Sequence, residues 1–373
     1  MNKLKYILIF FLIDLTISHF FLKNTPYWSV IEWEEKYWRV SSKIYHHGIL
    51  PNIEKNEKWG GQLIKKIITN SIGFIDKENR QILKENPQKK RILLIGDSFI
   101  EGSGLDYSDT FAGLLDKHLG EKYEILNSAV GSYSPSIYFK KTEHYINQGY
   151  TFDQAIIFLD VSDIFDELFI KFDEQGNILT FEEVKKRGYL KKSFYTLGRF
   201  LRDNTITFRF LNIISDKTEI SKNYIKLKFK TAKYLNKDFF DTNRNDVMFY
   251  RMTHVDRGYW TFNNQKFLEV QNGLAQAEKY LKMLFKLLKE NDISSTLVVY
   301  PWPAQIHYGD NYHEKHWKDF SKQLDIKFIS LYESFKSGDS KNFIMNNFLY
   351  GDVHWNQNGT NLVFDTIIKN INF

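Results

Sequence analysis

Residues 91–98 read Arg91-Ile92-Leu93-Leu94-Ile95-Gly96-Asp97-Ser98, a short unbroken apolar run that ends on Gly, Asp and Ser. A continuous run, as opposed to an alternating one, suits a strand buried on both faces. Helical spacing follows over Phe111–Leu119 (Phe111, Leu114, Leu115, His118, Leu119), with Asp109 as the expected cap. The same alternation then repeats. Tyr123–Val130 and Gln154–Ser162 read as strands, Ser136–Asn147 as a helix between them, and Phe267–Glu290 as the strongest helix of the chain. Ser294–Tyr300 and Lys327–Leu331 are further buried strands, and Asn361–Ile371 is a closing helix. Apolar strands separated by helices predict a parallel sheet covered on both faces, with chemistry at the carboxyl ends of the strands.

The alternation is interrupted at about 164–265. Between Lys185 and Lys237 fifteen basic residues stand against Asp203, Asp216 and Glu219, a formal charge of +12, while the whole chain of 373 residues carries +6. Two readings of this stretch stay open: the solvated faces of surface helices, or a cationic, aromatic-rich lobe lying on anionic headgroups or an acidic polysaccharide. The overall charge is too mild to imply a nucleic-acid binder, and no recognised nucleic-acid motif accompanies it. A hydrophobic fraction of 43% excludes a disordered chain. The absence of Cys excludes disulfides, thiolate nucleophiles, Cys-ligated zinc and iron–sulfur clusters. No phosphate-binding loop, zinc spacing or internal repeat is present.

At the N-terminus, Tyr6 to Leu22 is nearly all Ile, Leu and Phe, with Lys3 and Lys5 before it and Lys23 after it. That layout predicts an uncleaved signal anchor over 1–23, a transmembrane helix that holds the body outside the cytoplasm, although Asp14 near its centre is costly in a bilayer. The competing reading is a buried helix of a soluble protein. Residues 24–90 form an aromatic, irregular extension before the α/β body at 91–373.

Three pieces sit where the sheet places chemistry. Ser98 stands at a strand-to-helix junction, where backbone N–H groups can face developing negative charge. Gly131 ends Asn127-Ser128-Ala129-Val130-Gly131 and offers a backbone N–H with no side chain in the way. Gly351-Asp352-Val353-His354-Trp355-Asn356 precedes the last helix. A serine needs a base to act as a nucleophile; His354 can be that base, and Asp352 can fix its tautomer.

This order of motifs resembles the SGNH (GDSL-type) hydrolase superfamily of esterases and acyltransferases, over about residues 91–371 without the insertion. The resemblance implies a three-layer α/β/α fold with a central parallel, flavodoxin-like sheet and a large helical insertion. It implies Ser98 as nucleophile, His354 as base, Asp352 as its partner, and Gly131 with the Ser98 backbone as oxyanion donors. No cofactor and no metal are implied. The sequence departs from the family twice. Asp160-Val161-Ser162-Asp163 puts Ser162 where the family has its oxyanion asparagine, and one residue, not two, separates Asp352 from His354. Variants of the second kind are similar to relatives of the periplasmic alginate O-acetyltransferases. Ser162 and Asp163 are carried as oxyanion or pocket candidates, and helix capping is the competing reading for Asp160 and Asp163.

Trp302, in Tyr300-Pro301-Trp302-Pro303 after a buried strand, is expected at the rim of the site, stacked on a sugar ring or packed on the insertion. His46-His47 and the pair His313/His316 are weak metal candidates; an amphipathic surface helix accounts for the second pair. Asn70-Ser71-Ile72-Gly73-Phe74 is similar to a segment in some membrane-anchored members of the family. The expected activity is hydrolysis of an acyl ester, an O-acetyl group on a cell-surface or exported glycan. Transfer through the same Ser-His-Asp site, or a catalytically weak glycan-binding or assembly protein, are the alternatives.

Overall fold

A computed structural model of the chain describes residues 3–22, 38–59, 63–180, 200–201 and 204–373. In chain order the elements are α1 (Lys3–Leu22), β1 (Arg39–Ser42), β2 (His46–Ile49), β3 (Glu54–Trp59), β4 (Leu63–Ile68), β5 (Lys90–Ile95), α2 (Ser98–Glu101), α3 (Phe111–Leu119), β6 (Tyr123–Asn127), α4 (Pro135–Asn147), β7 (Gln154–Leu159) and α5 (Val161–Asp166). They continue with α6 (Ile206–Leu235), α7 (Arg244–Thr253), α8 (Asn264–Glu290), β8 (Ser294–Val299), α9 (Pro303–Tyr308), α10 (Tyr312–Gln323), β9 (Lys327–Ser330), α11 (Ser340–Asn347) and α12 (Gln357–Asn370).

The apolar runs pair into one parallel sheet of order β6-β5-β7-β8-β9. The central strands β5, β7 and β8 are buried over most of their length because helices cover both faces: α8 packs against α4 and α5, and α3 packs against α12. With right-handed crossovers this is a three-layer α/β/α, flavodoxin-like arrangement. The strand order reverses between β5 and β7, so the loops after β5 and β7 diverge there and leave a crevice.

Several boundaries differ from the sequence reading for local reasons. β6 stops at Asn127 because Asn127 Nδ2 donates to the Ile100 carbonyl (2.7 Å) and the Ser128 hydroxyl to the Leu94 carbonyl (2.7 Å), which turns the chain out of the ladder. β7 stops at Leu159 because Asp160 caps α5, so Ser162 lies on a helix and not on the strand. Thr110, not Asp109, caps α3, accepting from the Gly113 N–H at 3.1 Å.

The described residues divide into two compact units. One comprises Trp38–Phe181 and Met248–Phe373 and holds the sheet. The antiparallel pairs β1–β2 and β3–β4 belong to it, and Trp38, Ile49, Ile67, Phe74 and Ile75 of the extension are buried. Ile75 bridges Asn127 on the edge strand β6, and Asn70 with Gly73 makes the turn that presents it. A Cβ on Gly73, whose φ is +74°, would lie 2.4 Å from the Ile49 carbonyl oxygen.

The other unit comprises Met1–Tyr37 and Glu182–Val247. Here Asp14 and Ser18 of α1 are buried against the start of α6, accepting from Ile206 N at 3.1 and 3.0 Å. Among the described residues no helix is long and apolar enough to cross a membrane, which corrects the transmembrane reading of 1–23. Asp14 at the middle of α1 is used as a helix cap, and Lys5 lies in the first turn. The basic residues from Lys185 to Arg199, Arg202 and the acidic Asp203 lie outside the described residues.

Candidate active site

Where β5 ends, Gly96 must lack a side chain: a Cβ would lie 2.9 Å from Ile100 Cγ1 and 3.4 Å from Phe158 Cβ. Asp97 then caps α2, its Oδ1 accepting from the Phe99 N–H at 3.0 Å, and Ser98 opens the helix half-buried. The loop before α12 turns at Gly351 (φ +74°) and delivers Asp352 and His354. His354 Nε2 lies 2.8 Å from Ser98 Oγ, and His354 Nδ1 lies 2.5 Å from Asp352 Oδ1. The one-residue spacing has a geometric reason. Asp352 Oδ1 accepts the His354 backbone N–H at 3.0 Å as well as facing its ring, so the carboxylate clasps a single residue at two points.

A proton on Nδ1 leaves the Nε2 lone pair directed at the hydroxyl. Burial opposes ionisation of Asp352, but the His354 hydrogen bonds and charge, with help from Trp59, hold its carboxyl down at about 2. The Phe99 ring lies 4.6 Å and the Trp59 ring 5.0 Å from the imidazole, centroid to centroid.

Behind the serine lies an acidic cluster that the sequence did not announce: Asp97, Asp160 and Asp163 are buried, each with a carboxylate oxygen within 4.8 Å of the others. Burial raises all three, and for Asp97 the Asp160 charge adds to it, pushing it to about 7. Trp302 Nε1 donates to Asp160 (2.7 Å), the Ser162 hydroxyl donates to Asp160 (2.8 Å), and Tyr138 donates to Asp163 (2.9 Å).

Three expected site residues are therefore committed elsewhere. The Ser162 hydroxyl is pinned to Asp160 in the capping box and is not directed at an oxyanion. Asp163 is the third residue of that box and accepts the Asp160 N–H at 3.0 Å, so it does not line a pocket. Trp302 is 1% exposed and cannot stack on a sugar at a rim. His313 is likewise fully buried, with Nε2 3.2 Å from the Leu159 carbonyl, while His316 Nε2 faces Glu278 at 3.1 Å. His46 and His47 do meet, Nδ1 to Nδ1 at 2.7 Å, because His46 adopts φ +68° and breaks the strand alternation.

On the oxyanion side, the Gly131 N–H donates to Glu101 Oε2 at 2.6 Å. Arg39 donates to both oxygens of the same carboxylate, Nη1 to Oε2 at 2.9 Å and Nη2 to Oε1 at 2.6 Å. Glu57 and Lys65 complete a four-charge cluster: Arg39 Nη2 lies 3.2 Å from Glu57 Oε1, and Lys65 Nζ 3.0 Å from Glu57 Oε2. Burial opposes ionisation of Glu101, yet Arg39 and Lys65 hold it down at about 2. His47 Nε2 lies 2.9 Å from the Gly131 carbonyl, and burial lowers its ring to about 4. Arg39, His47, Trp59 and Lys65 all come from the extension. Sequence reasoning missed Arg39, Trp59 and Lys65 and held His47 only as a weak metal candidate, because nothing local in 38–68 signals contact with residues 36 to 295 positions downstream; the acid–base pairing of Glu57 with Lys65 across β3–β4 was the available hint.

No family model matches the sequence, and no curated protein sequence matches it. Solved structures do. A crystal structure of TesA is 10% identical, covering 75% of this chain and 97% of that one, at a TM-score of 0.40. A psychrotrophic esterase from Pseudoalteromonas is 10% identical over 76% and 96% of the two chains (TM-score 0.35), and a carbohydrate acetylesterase family member from Sinorhizobium meliloti is 10% identical over 74% and 95% (TM-score 0.36). By its own strand order the chain is a three-layer α/β/α protein built on a parallel sheet, with Ser98 after β5 and the Asp352–His354 loop before the last helix.

Proposed function

We propose that the chain is a serine ester hydrolase of the SGNH (GDSL) type. The observation that carries this is the relay Ser98 Oγ, His354 Nε2 (2.8 Å), His354 Nδ1, Asp352 Oδ1 (2.5 Å) at the switch point of the sheet. Ser98 attacks the ester carbonyl as its proton passes to His354; the imidazolium, held by Asp352, returns that proton to the departing alkoxide. Water then cleaves the acyl-enzyme, or a sugar hydroxyl takes the acyl group, through the same intermediate.

An O-acetyl ester of a cell-surface or exported glycan is the substrate class we infer, on the resemblance of the motif order. Work at a membrane face outside the cytoplasm fits the unit containing α1 and α6: Leu8, Phe10, Leu12 and Ile13 are exposed on α1, and Lys222, Lys226, Lys230 and Lys233 on α6. A non-catalytic glycan-binding role is the second reading, favoured by the carboxylate that occupies the Gly131 N–H and by the tied Ser162.

The test compares wild type with Ser98→Ala on p-nitrophenyl acetate and on acetylated oligosaccharides, with intact-mass detection of an acetylated Ser98. The enzyme reading expects activity to fall by roughly 10³-fold or more in Ser98→Ala. No Ser98-dependent turnover together with no adduct would leave the binding role.

A further inference from the structure

We infer that Arg39 is a catalytic residue which, with the Gly131 N–H, forms the oxyanion-binding site, and that Glu101 is a built-in occupant of that site which the substrate carbonyl displaces. The inference rests on the serine-hydrolase reading above.

Two donors from distant parts of the chain converge on one atom. Glu101 Oε2 accepts from Gly131 N at 2.6 Å and from Arg39 Nη1 at 2.9 Å. Gly131 borders both that atom and the nucleophile: a Cβ built on Gly131 would be 3.5 Å from Glu101 Oε2 and 3.5 Å from Ser98 Cβ. A negatively charged oxygen held by a backbone N–H and a guanidinium next to the attacking serine reproduces the charge of a tetrahedral intermediate. The carboxylate oxygen marks where that charge is stabilised.

The rest of the site creates the need for Arg39. Ser162 stands where an oxyanion amide is expected, and its hydroxyl is already given to Asp160 at 2.8 Å. The hole is thus left with its backbone donors and with Arg39 in place of an amide. Arg39 does not depend on Glu101 for its position, because Glu57, fully buried, holds Nη2 at 3.2 Å. Glu101 has somewhere to go: Lys65 Nζ lies 3.7 Å from its other oxygen. In the reaction the Ser98 Oγ–carbon bond forms while the carbonyl π pair moves onto oxygen and the Ser98 proton onto His354 Nε2. The oxyanion takes up the Gly131 and Arg39 hydrogen bonds released by Glu101. As it collapses, the carbon–alkoxide bond breaks and His354 protonates the leaving oxygen.

The experiment uses the full chain in four forms: wild type, Glu101→Gln, Arg39→Ala and Arg39→Ala/Glu101→Gln. The double variant removes one charge of each sign, so the cluster stays neutral if Arg39→Ala alone fails to fold; circular dichroism and thermal melts establish which forms are folded. Each is assayed for kcat and KM on p-nitrophenyl acetate, and for Ser98 phosphorylation by diethyl p-nitrophenyl phosphate, read by intact mass. Glu101→Gln is expected to react several-fold faster than wild type with both reagents, because an amide competes less well than a carboxylate for the two donors. Adding Arg39→Ala to it is expected to lower kcat by roughly 10²- to 10³-fold with little change in KM, with partial recovery in dilute guanidinium chloride, which a merely structural role would not give. A folded double variant with the kcat of Glu101→Gln, or a Glu101→Gln no faster than wild type, overturns the inference and leaves the serine-hydrolase reading intact. Absence of a Ser98 adduct in both wild type and Glu101→Gln overturns both.

Discussion

The Ser98 hydroxyl has one proton and two neighbours, His354 Nε2 at 2.8 Å and Asp97 Oδ2 at 3.1 Å. If the proton points to His354, the Asp97 contact is favourable only when Asp97 carries a proton of its own. Burial and then the Asp160 charge push Asp97 to about 7, so near neutrality the protonated form is well populated. The same shift fixes a stability effect. An unfolded Asp titrates near 3.9, so between about pH 4 and pH 7 the folded state binds more protons than the unfolded one, and wild-type stability falls as pH rises through that window. Asn at this position keeps an acceptor for the Phe99 N–H and cannot ionise. Asp97→Asn is expected to gain on wild type in melting temperature from pH 4 to 7 and to hold that gain above pH 7, measured by thermal melts across the range. A gap independent of pH would show that Asp97 stays ionised or is not buried.

At the level of elements, the site depends on how closely α5 and α8 approach behind it. Gly273 in α8 makes that approach: a Cβ there would lie 2.3 Å from the Ile164 carbonyl oxygen of α5 and 3.3 Å from Leu168 Cδ2. Two effects compete in Gly273→Ala. Helix propensity favours Ala by about 1 kcal/mol, while overpacking against a backbone atom costs roughly 1–3 kcal/mol. Because the clash is with main chain, which cannot rotate away, the second wins, and a lower denaturant midpoint is expected. A midpoint equal to or above wild type would show that the two helices separate freely. The capping box at the start of α5 accounts for the residues of the third block. Asp160 and Asp163 bond each other's backbone, and Ser162 is drawn into the same network.

Over the whole molecule the formal charge of +6 is an average of a stretch at +12 and a remainder at −6. Where the basic stretch is described, α6 exposes Phe210, Leu211, Ile214, Ile220, Ile225 and Phe229 along with Lys222, Lys226, Lys230 and Lys233. An apolar surface studded with cations suits an anionic bilayer, where each basic residue contributes about 1 kcal/mol near the surface. The full chain is expected to sediment with phosphatidylglycerol-containing vesicles, less at 0.5 M salt than at 0.1 M. Lys226→Gln/Lys230→Gln is expected to weaken that binding by roughly 30-fold, the equivalent of about 2 kcal/mol. Failure to bind either anionic or zwitterionic vesicles would remove the membrane from the reading.

By itself the sequence determined the sheet and the order of motifs on it. Continuous apolar runs such as Ile92–Ile95 and Ala155–Leu159 can be buried only by helices on both faces, and Phe111–Leu119 is read with the bounds it has in the fold. Ser98, Asp352 and His354 were legible because each follows a local signal, a strand end or a turn before a helix. Tertiary structure decided what those residues face. Whether Ser162 donates to an oxyanion or to Asp160, whether Trp302 is at a rim or sealed, and that Arg39 and the Gly131 N–H meet on Glu101 are matters of direction between segments 30 to 142 positions apart or of a side chain turned back on its own helix cap. Periodicity and spacing encode burial and local turns; they do not encode which of several polar partners a folded side chain reaches first.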